Sequence, residues 1–110
     1  MRILVVSQYF WPENFRINEL VSAWKSKGYK VDILTGKPNY PGGKLFEDYK
    51  ANKNKYKLFE GCKVYRVPIF LRGSASKFNL AINYISFLFS SMFYSLIYLR
   101  KKKYDIIFTF

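Results

Sequence analysis

The sequence predicts an α/β protein built on a parallel sheet, because the chain opens with a β-α-β pattern. Residues 3–6 form a continuous apolar run, as expected of a strand that is covered on both faces. A second strand is predicted at residues 30–35, after Gly28, which supplies a left-handed helix stop. Between the two strands, apolar residues recur with the spacing of one helix face: Ile17, Leu20, Val21 and Trp24.

The segment between the first strand and the first helix is the predicted ligand loop. Pro12 suits the first turn of a helix, where a missing N–H costs nothing, and Glu13 adds favourable charge at that end. Residues 8–13 lie at the carboxyl end of the strand, which is where open α/β sheets bind ligands.

The remaining elements complete a doubly wound pattern. A third strand is predicted at residues 62–67, a helix at 78–99 and a fourth strand at 104–109. Two prolines and three glycines make residues 35–44 a loop, and residues 47–61 are a lysine-rich excursion mixed with aromatics. We expect the strand order 3-2-1-4 of a Rossmann-like sheet, with its switch point between the first and fourth strands.

Composition excludes several kinds of site. The 110 residues suffice for one small domain. The chain has no histidine and one cysteine, which removes histidine bases and makes a metal centre unexpected. Its formal charge of +12 indicates an anionic partner, although a solvated lysine-rich surface gives the same balance.

Residues 78–99 carry no charge and are long enough to span a bilayer, which needs about 20 apolar residues. Their position between two strands favours a crossover helix that touches the membrane, while a true span stays open. A basic stretch follows and is the predicted contact with lipid headgroups: Arg100, Lys101, Lys102 and Lys103.

The chain resembles a known family along its whole length. Residues 7–20 and 34–43 are similar to the N-terminus of family-4 GT-B glycosyltransferases, in the bacterial O-antigen and capsule subgroup that includes fucosamine transferases. Residues 64–68, 72–74 and 80–99 also resemble that subgroup. The resemblance implies two Rossmann-like domains: an N-terminal one facing a polyprenyl-linked glycan acceptor, and a C-terminal one holding the nucleotide sugar.

From this resemblance we expect residues 1–110 to be an incomplete, truncated acceptor-side domain without the nucleotide-sugar domain, inactive alone. It would be cytoplasmic and peripheral to the inner face of the cell membrane. No catalytic residue, metal or cofactor is assigned beyond the nucleotide-sugar co-substrate. The resemblance carries substrate-binding roles onto six residues: Glu13, Asn14, Arg16, Asn39, Tyr40 and Gly43.

Three other functions were weighed against the residues. A dinucleotide-binding module fails because residues 8–13 contain no glycine for pyrophosphate approach. A nucleic-acid binder lacks any recognised motif, so no nucleic-acid partner is expected. A small basic membrane-associated protein with one hydrophobic helix, residues 78–99, remains the alternative.

Overall fold

The computed structural model describes residues 1–13, 15–38, 47–69, 77–99 and 102–110. In this part of the chain the protein is α/β, with a five-stranded mixed sheet and three α-helices. The strands are β1 (Arg2–Val6), β2 (Lys30–Gly36), β3 (Leu58–Phe59), β4 (Cys62–Val67) and β5 (Ile106–Thr109). The helices are α1 (Arg16–Ser26), α2 (Glu47–Ala51) and α3 (Lys77–Tyr94), with a 3-10 helix at Lys53–Lys57 and a π-helical turn at Ser95–Leu99.

The sheet order is β3-β4-β2-β1-β5. β1 is parallel to β2 and to β5, and β2 is parallel to β4, whereas β3 is antiparallel to β4. The predicted all-parallel order 3-2-1-4 is therefore wrong for the sheet as a whole, because it omits β3. The turn before β4 has positive φ at Glu60 (49°) and Gly61 (83°), which suits a tight antiparallel hairpin. β3 has only two residues, too few to show an alternating pattern.

The two faces of the sheet carry separate cores. One core lies between the sheet and α1 and includes Val5, Ile33 and Val64 with the helix residues Ile17 and Val21. The other lies on the opposite face, against α3 and the turn after it. Its buried members come from three strands and that turn: Leu4, Leu34, Val67 and Leu99. Burial of β1 on both faces explains why residues 3–6 read as an unbroken apolar run, whereas β2 is equally buried but includes the polar residues Asp32 and Thr35.

Helix α1 begins at Arg16, one turn later than predicted. The segment before it closes its own turn, because Glu13 donates its backbone N–H to the Phe10 carbonyl at 2.9 Å. The Trp11–Pro12 peptide bond in this turn is cis. The expectation that Pro12 occupies the first helical turn is therefore wrong. The predicted left-handed stop is present, since Gly28 has φ of 89°.

Helix α3 links β4 to β5 and leaves most of its surface uncovered. The stretch Phe78–Ile97 has a mean hydropathy of 1.5 and is long and apolar enough to cross a membrane, yet only 17% of it is buried. Its most exposed large apolar side chains include Phe78, Leu88, Phe93 and Ile97. Length and composition alone do not separate a spanning helix from a surface helix, but the exposure shows that this face has no partner within the described residues.

Candidate functional site

A crevice of about 200 Å³ opens where the carboxyl ends of β1 and β5 meet. The chain leaves β1 for β2 on one side and returns as β5 on the other, so these two strands flank the switch point of the sheet. Ligands of open α/β sheets bind at such a point. We name this feature the β1–β5 crevice, and its lining residues are Ser7, Gln8, Tyr9, Phe15, Tyr84 and Phe110.

A buried amide anchors α3 to the loop that follows β1. Asn83, on α3, is fully buried and its Oδ1 accepts hydrogen bonds from the Gln8 Nε2 amide and, at 3.0 Å, from the Tyr9 hydroxyl. Ser7 also donates its hydroxyl to the Tyr9 carbonyl at 2.6 Å. Because buried polar groups must be paired, this network fixes how the helix crosses the crevice.

The crevice offers hydrogen-bonding groups and open aromatic faces to a ligand. The Oε1 atom of Gln8 has no hydrogen-bond partner among the described residues, so it can accept a hydrogen bond from a ligand hydroxyl. Tyr84 is 51% exposed and Phe110 is 56% exposed. Exposed aromatic rings beside an amide acceptor suit a ligand that has both CH groups and hydroxyls.

Aromatic packing and one arginine hold the loop after β1 in place. Phe10 is fully buried and meets Phe59 edge-on, with ring centroids 5.0 Å apart. The Arg66 guanidinium donates to the Trp11 carbonyl, to the Tyr56 carbonyl at 3.2 Å and to a carbonyl of β2 at 3.4 Å. Burial lowers the pKa of Arg66 to about 10. This value is still well above neutral pH, so the guanidinium remains protonated there. The loop is therefore positioned by a fixed cation.

The predicted substrate-binding residues fall in different environments. Glu13 is 1% exposed, and its Oε1 accepts a hydrogen bond from the Phe10 backbone N–H at 3.3 Å. Its carboxylate therefore stabilises the loop after β1. Arg16 is exposed at the start of α1 and makes no side-chain hydrogen bond or ion pair in the part of the chain that the structure describes. The other four lie outside the described residues: Asn14, Asn39, Tyr40 and Gly43.

The four predicted headgroup contacts also lie in different environments. The Lys102 ammonium donates to the Tyr65 hydroxyl at 2.7 Å and lies 5.2 Å from the centre of that ring. Lys103 is exposed, and Arg100 and Lys101 lie outside the described residues. Lys102 is thus engaged within the protein, which leaves Lys103 as the described cation of this stretch that faces solvent.

None of the six residues that line the crevice is among the site residues predicted from the sequence, and three of the six offer groups to a ligand: Gln8, Tyr84 and Phe110. Gln8 lies in the predicted ligand loop, so its position was a usable signal. Tyr84 and Phe110 reach the crevice only through the crossing of α3 and the pairing of β5. The polar Asn83 in an uncharged helix was the available sign that α3 meets a polar partner.

Metal and thiol chemistry find no support in the described ranges. No group of three or more cysteine, aspartate, glutamate or histidine side chains comes together there. Cys62 is buried, and burial raises the pKa of its thiol, which lowers its reactivity at neutral pH.

Comparisons with family models, with curated proteins and with solved structures found no match to this chain.

Proposed function

We propose that the chain is the acceptor-side part of a glycosyltransferase of the family-4 GT-B type, acting in cell-surface glycan synthesis. The enzyme would move a sugar from a nucleotide sugar to a lipid-linked or polysaccharide acceptor. The observation that carries the proposal is the β1–β5 crevice, an aromatic and polar site at the switch point of the sheet. The resemblance of residues 7–20 and 34–43 to that family supports it, as does the parallel pairing of β4 with β2, β2 with β1 and β1 with β5.

The chemistry of the crevice fits one sugar ring. A volume of about 200 Å³ is smaller than the roughly 300–1,000 Å³ of sites for drug-sized ligands. A pyranose has CH groups that can pack on the exposed rings of Tyr84 and Phe110. It also has hydroxyls that can donate to Gln8 Oε1. We therefore assign the crevice to the terminal sugar of the acceptor.

The remaining roles follow from the resemblance. A second domain would hold the nucleotide sugar opposite the crevice. Arg16 lies in the first turn of α1, where the helix N-terminus also favours anions, and is proposed to meet the diphosphate of a polyprenyl-linked acceptor. Contact with an anionic membrane at the cytoplasmic face would bring the chain to that acceptor.

A second candidate function is favoured by the exposed face of α3. The alternative is a small membrane-associated protein that acts on no glycan. Its basic charge and the uncovered apolar surface of α3 would bind it to lipid. Both functions predict binding to lipid, but only the first predicts binding of a saccharide in the β1–β5 crevice.

Calorimetry with a short, water-soluble polyprenyl-diphosphate-linked sugar separates the two candidates. We expect Tyr84→Ala to weaken binding about tenfold, because it removes an exposed ring that lines the crevice. The matched control is Phe93→Ala, another exposed aromatic on α3, which does not line the crevice. Equal loss in both variants, or no binding of the sugar by the unaltered chain, contradicts the transferase proposal.

A further inference from the structure

A second cleft, of about 440 Å³, lies beside β4 at the other side of the sheet. β3 pairs only with Cys62 and Lys63, so the rest of the outer edge of β4 borders this cleft. We name it the β4 cleft. Its polar lining is dominated by cations and tyrosines, among them Lys53, Lys57, Lys63, Arg66, Tyr49 and Tyr65.

The charge around the β4 cleft is unbalanced. Lys53, Lys57 and Lys63 are exposed and form no ion pair with any described residue. Their neighbours in sequence differ, since Lys55 pairs with Asp48 at 3.2 Å and Lys50 with Glu47 at 3.7 Å. Within the described ranges no acidic residue lines the cleft. The field there therefore favours an anion.

The tyrosine ring faces of the cleft are already occupied. The Tyr56 ring packs against Trp11 at 4.9 Å and has the Lys55 ammonium 5.3 Å from its centre. The Tyr65 ring has the Lys102 ammonium at 5.2 Å and a second tyrosine ring at 5.8 Å. Stacking of a nucleobase needs an open ring face, so this lining does not suit a nucleic-acid strand.

Two tyrosine hydroxyls of the lining are available to a ligand, those of Tyr49 and Tyr65, whereas the Tyr56 hydroxyl already donates to the Asp48 carboxylate. Tyr49 has no hydrogen-bond partner for its hydroxyl among the described residues. The Tyr65 hydroxyl accepts a hydrogen bond from Lys102, which leaves its own proton to donate. Together with the lysine ammonium groups, these hydroxyls make a lining that is rich in donors. Such a lining matches a ligand made of acceptor oxygens.

We propose that the β4 cleft binds a phosphate ester through its oxyanion, carried by a soluble phosphorylated sugar or by the headgroup of an anionic phospholipid. A phosphate monoester carries about −1.5 to −2 charge at pH 7 and three acceptor oxygens, whereas a carboxylate carries one charge. Three unpaired lysines therefore fit the phosphate better. Arg66 is tied to three backbone carbonyls and supplies fixed positive charge beside the ligand. The proposal does not depend on the transferase function.

The test is a titration of the full chain with glucose 6-phosphate at low salt, followed by calorimetry and, in a Trp24→Phe background that leaves Trp11 as the single tryptophan, by fluorescence, with glucose as the uncharged comparison. Trp11 reports on the cleft because it packs against Tyr56. We expect Lys57→Gln and Lys63→Gln each to weaken binding about fivefold, by removing a charge-assisted contact. Lys27→Gln is the matched control, since Lys27 is exposed and does not line the cleft.

A charge-neutral variant and a lipid arm complete the test. Tyr49→Phe keeps the ring in place and should weaken binding about threefold through loss of one hydroxyl. Vesicles of phosphatidylcholine with phosphatidylglycerol identify the source: binding of vesicles alone, lost in Lys57→Gln and Lys63→Gln, assigns the headgroup. Binding of glucose 6-phosphate with the same losses assigns a soluble ester. If glucose binds equally well, or if the cleft variants behave as Lys27→Gln does in both arms, the proposal is wrong.

Discussion

The guanidinium of Arg66, near the end of β4, donates a hydrogen bond to the backbone carbonyl of Trp11 in the loop that follows β1. The same group binds the carbonyls of Gly36, at the end of β2, and of Tyr56. One side chain therefore joins the loop that borders the β1–β5 crevice to the wall of the β4 cleft. Since lysine presents one ammonium and not a planar fork, it cannot reproduce these contacts.

Replacing Arg66 should destabilise the chain. Arg66→Met removes the donors for three backbone carbonyls, and we expect a loss of about 3 kcal/mol in the free energy of unfolding, measured in urea. Arg66→Lys should recover only part of it. The control is Arg16→Met, because Arg16 is exposed and its replacement should change stability by less than about 0.5 kcal/mol. Equal losses of stability in Arg66→Met and Arg16→Met would show that the hydrogen bonds from Arg66 to the three carbonyls do not stabilise the fold.

The buried amide of Asn83 should couple energetically to the loop after β1. We expect Asn83→Ala to cost about 2 kcal/mol, because it removes the buried Oδ1 atom that accepts hydrogen bonds from the Gln8 amide and the Tyr9 hydroxyl. A double-mutant cycle with Tyr9→Phe should give a coupling of about 1 kcal/mol. Strictly additive effects in the cycle would show that the 3.0 Å contact contributes nothing to stability.

Tyr104 should make stability fall at alkaline pH. Burial and the hydrogen bond from its hydroxyl to Asp32, at 2.7 Å, raise the pKa of Tyr104 well above its ordinary value of 10.0. The unfolded chain then loses this proton first, so the contribution of Tyr104 is complete below about pH 10 and is lost as the pH rises toward the folded pKa. Stability curves measured from pH 8 to 11 should be steeper for the unaltered chain than for Tyr104→Phe. Parallel curves would rule out this contribution.

Binding to anionic vesicles should depend on salt and on the exposed face of α3. Lys103 is exposed, and Lys103→Gln should weaken association by about 1 kcal/mol, whereas Lys27→Gln, far along the chain, serves as the control. High salt should release the chain from the vesicles, because it screens these charges. Release only by detergent would favour a spanning helix.

The strands that the sequence predicts best are those with both faces buried. Burial of β1 on two faces leaves the continuous apolar run of residues 3–6, β2 is found where predicted although it includes Asp32 and Thr35, and β4 is found at residues 62–67 as expected. β3 leaves no such signal in the sequence, because a strand of two residues is too short to show a hydrophobic pattern. The start of α1 is misjudged because proline favours a first helical turn, while the Phe10–Glu13 hydrogen bond closes an earlier turn instead.

The candidate site is predictable by position more than by residue. The expected switch point leads to the loop after β1, and therefore to Gln8. Tyr84 is brought there by the helix crossing that Asn83 fixes, more than 70 residues along the chain from Gln8. Glu13 is an attractive ligand contact in the sequence, yet its carboxylate accepts a backbone N–H of its own turn. A hydrogen bond between a carboxylate and the backbone of its own turn depends on backbone geometry, which the spacing of residues in the sequence does not reveal.

The most direct test of the central claim is photolabelling with a short polyprenyl-diphosphate-linked sugar that carries a diazirine on the sugar ring, mapped by mass spectrometry. If the β1–β5 crevice holds the acceptor sugar, labels should concentrate on Gln8, Tyr84 and Phe110, and excess unlabelled acceptor analogue should suppress them. Labels confined to the exposed apolar face of α3, unaffected by competitor, would contradict the claim.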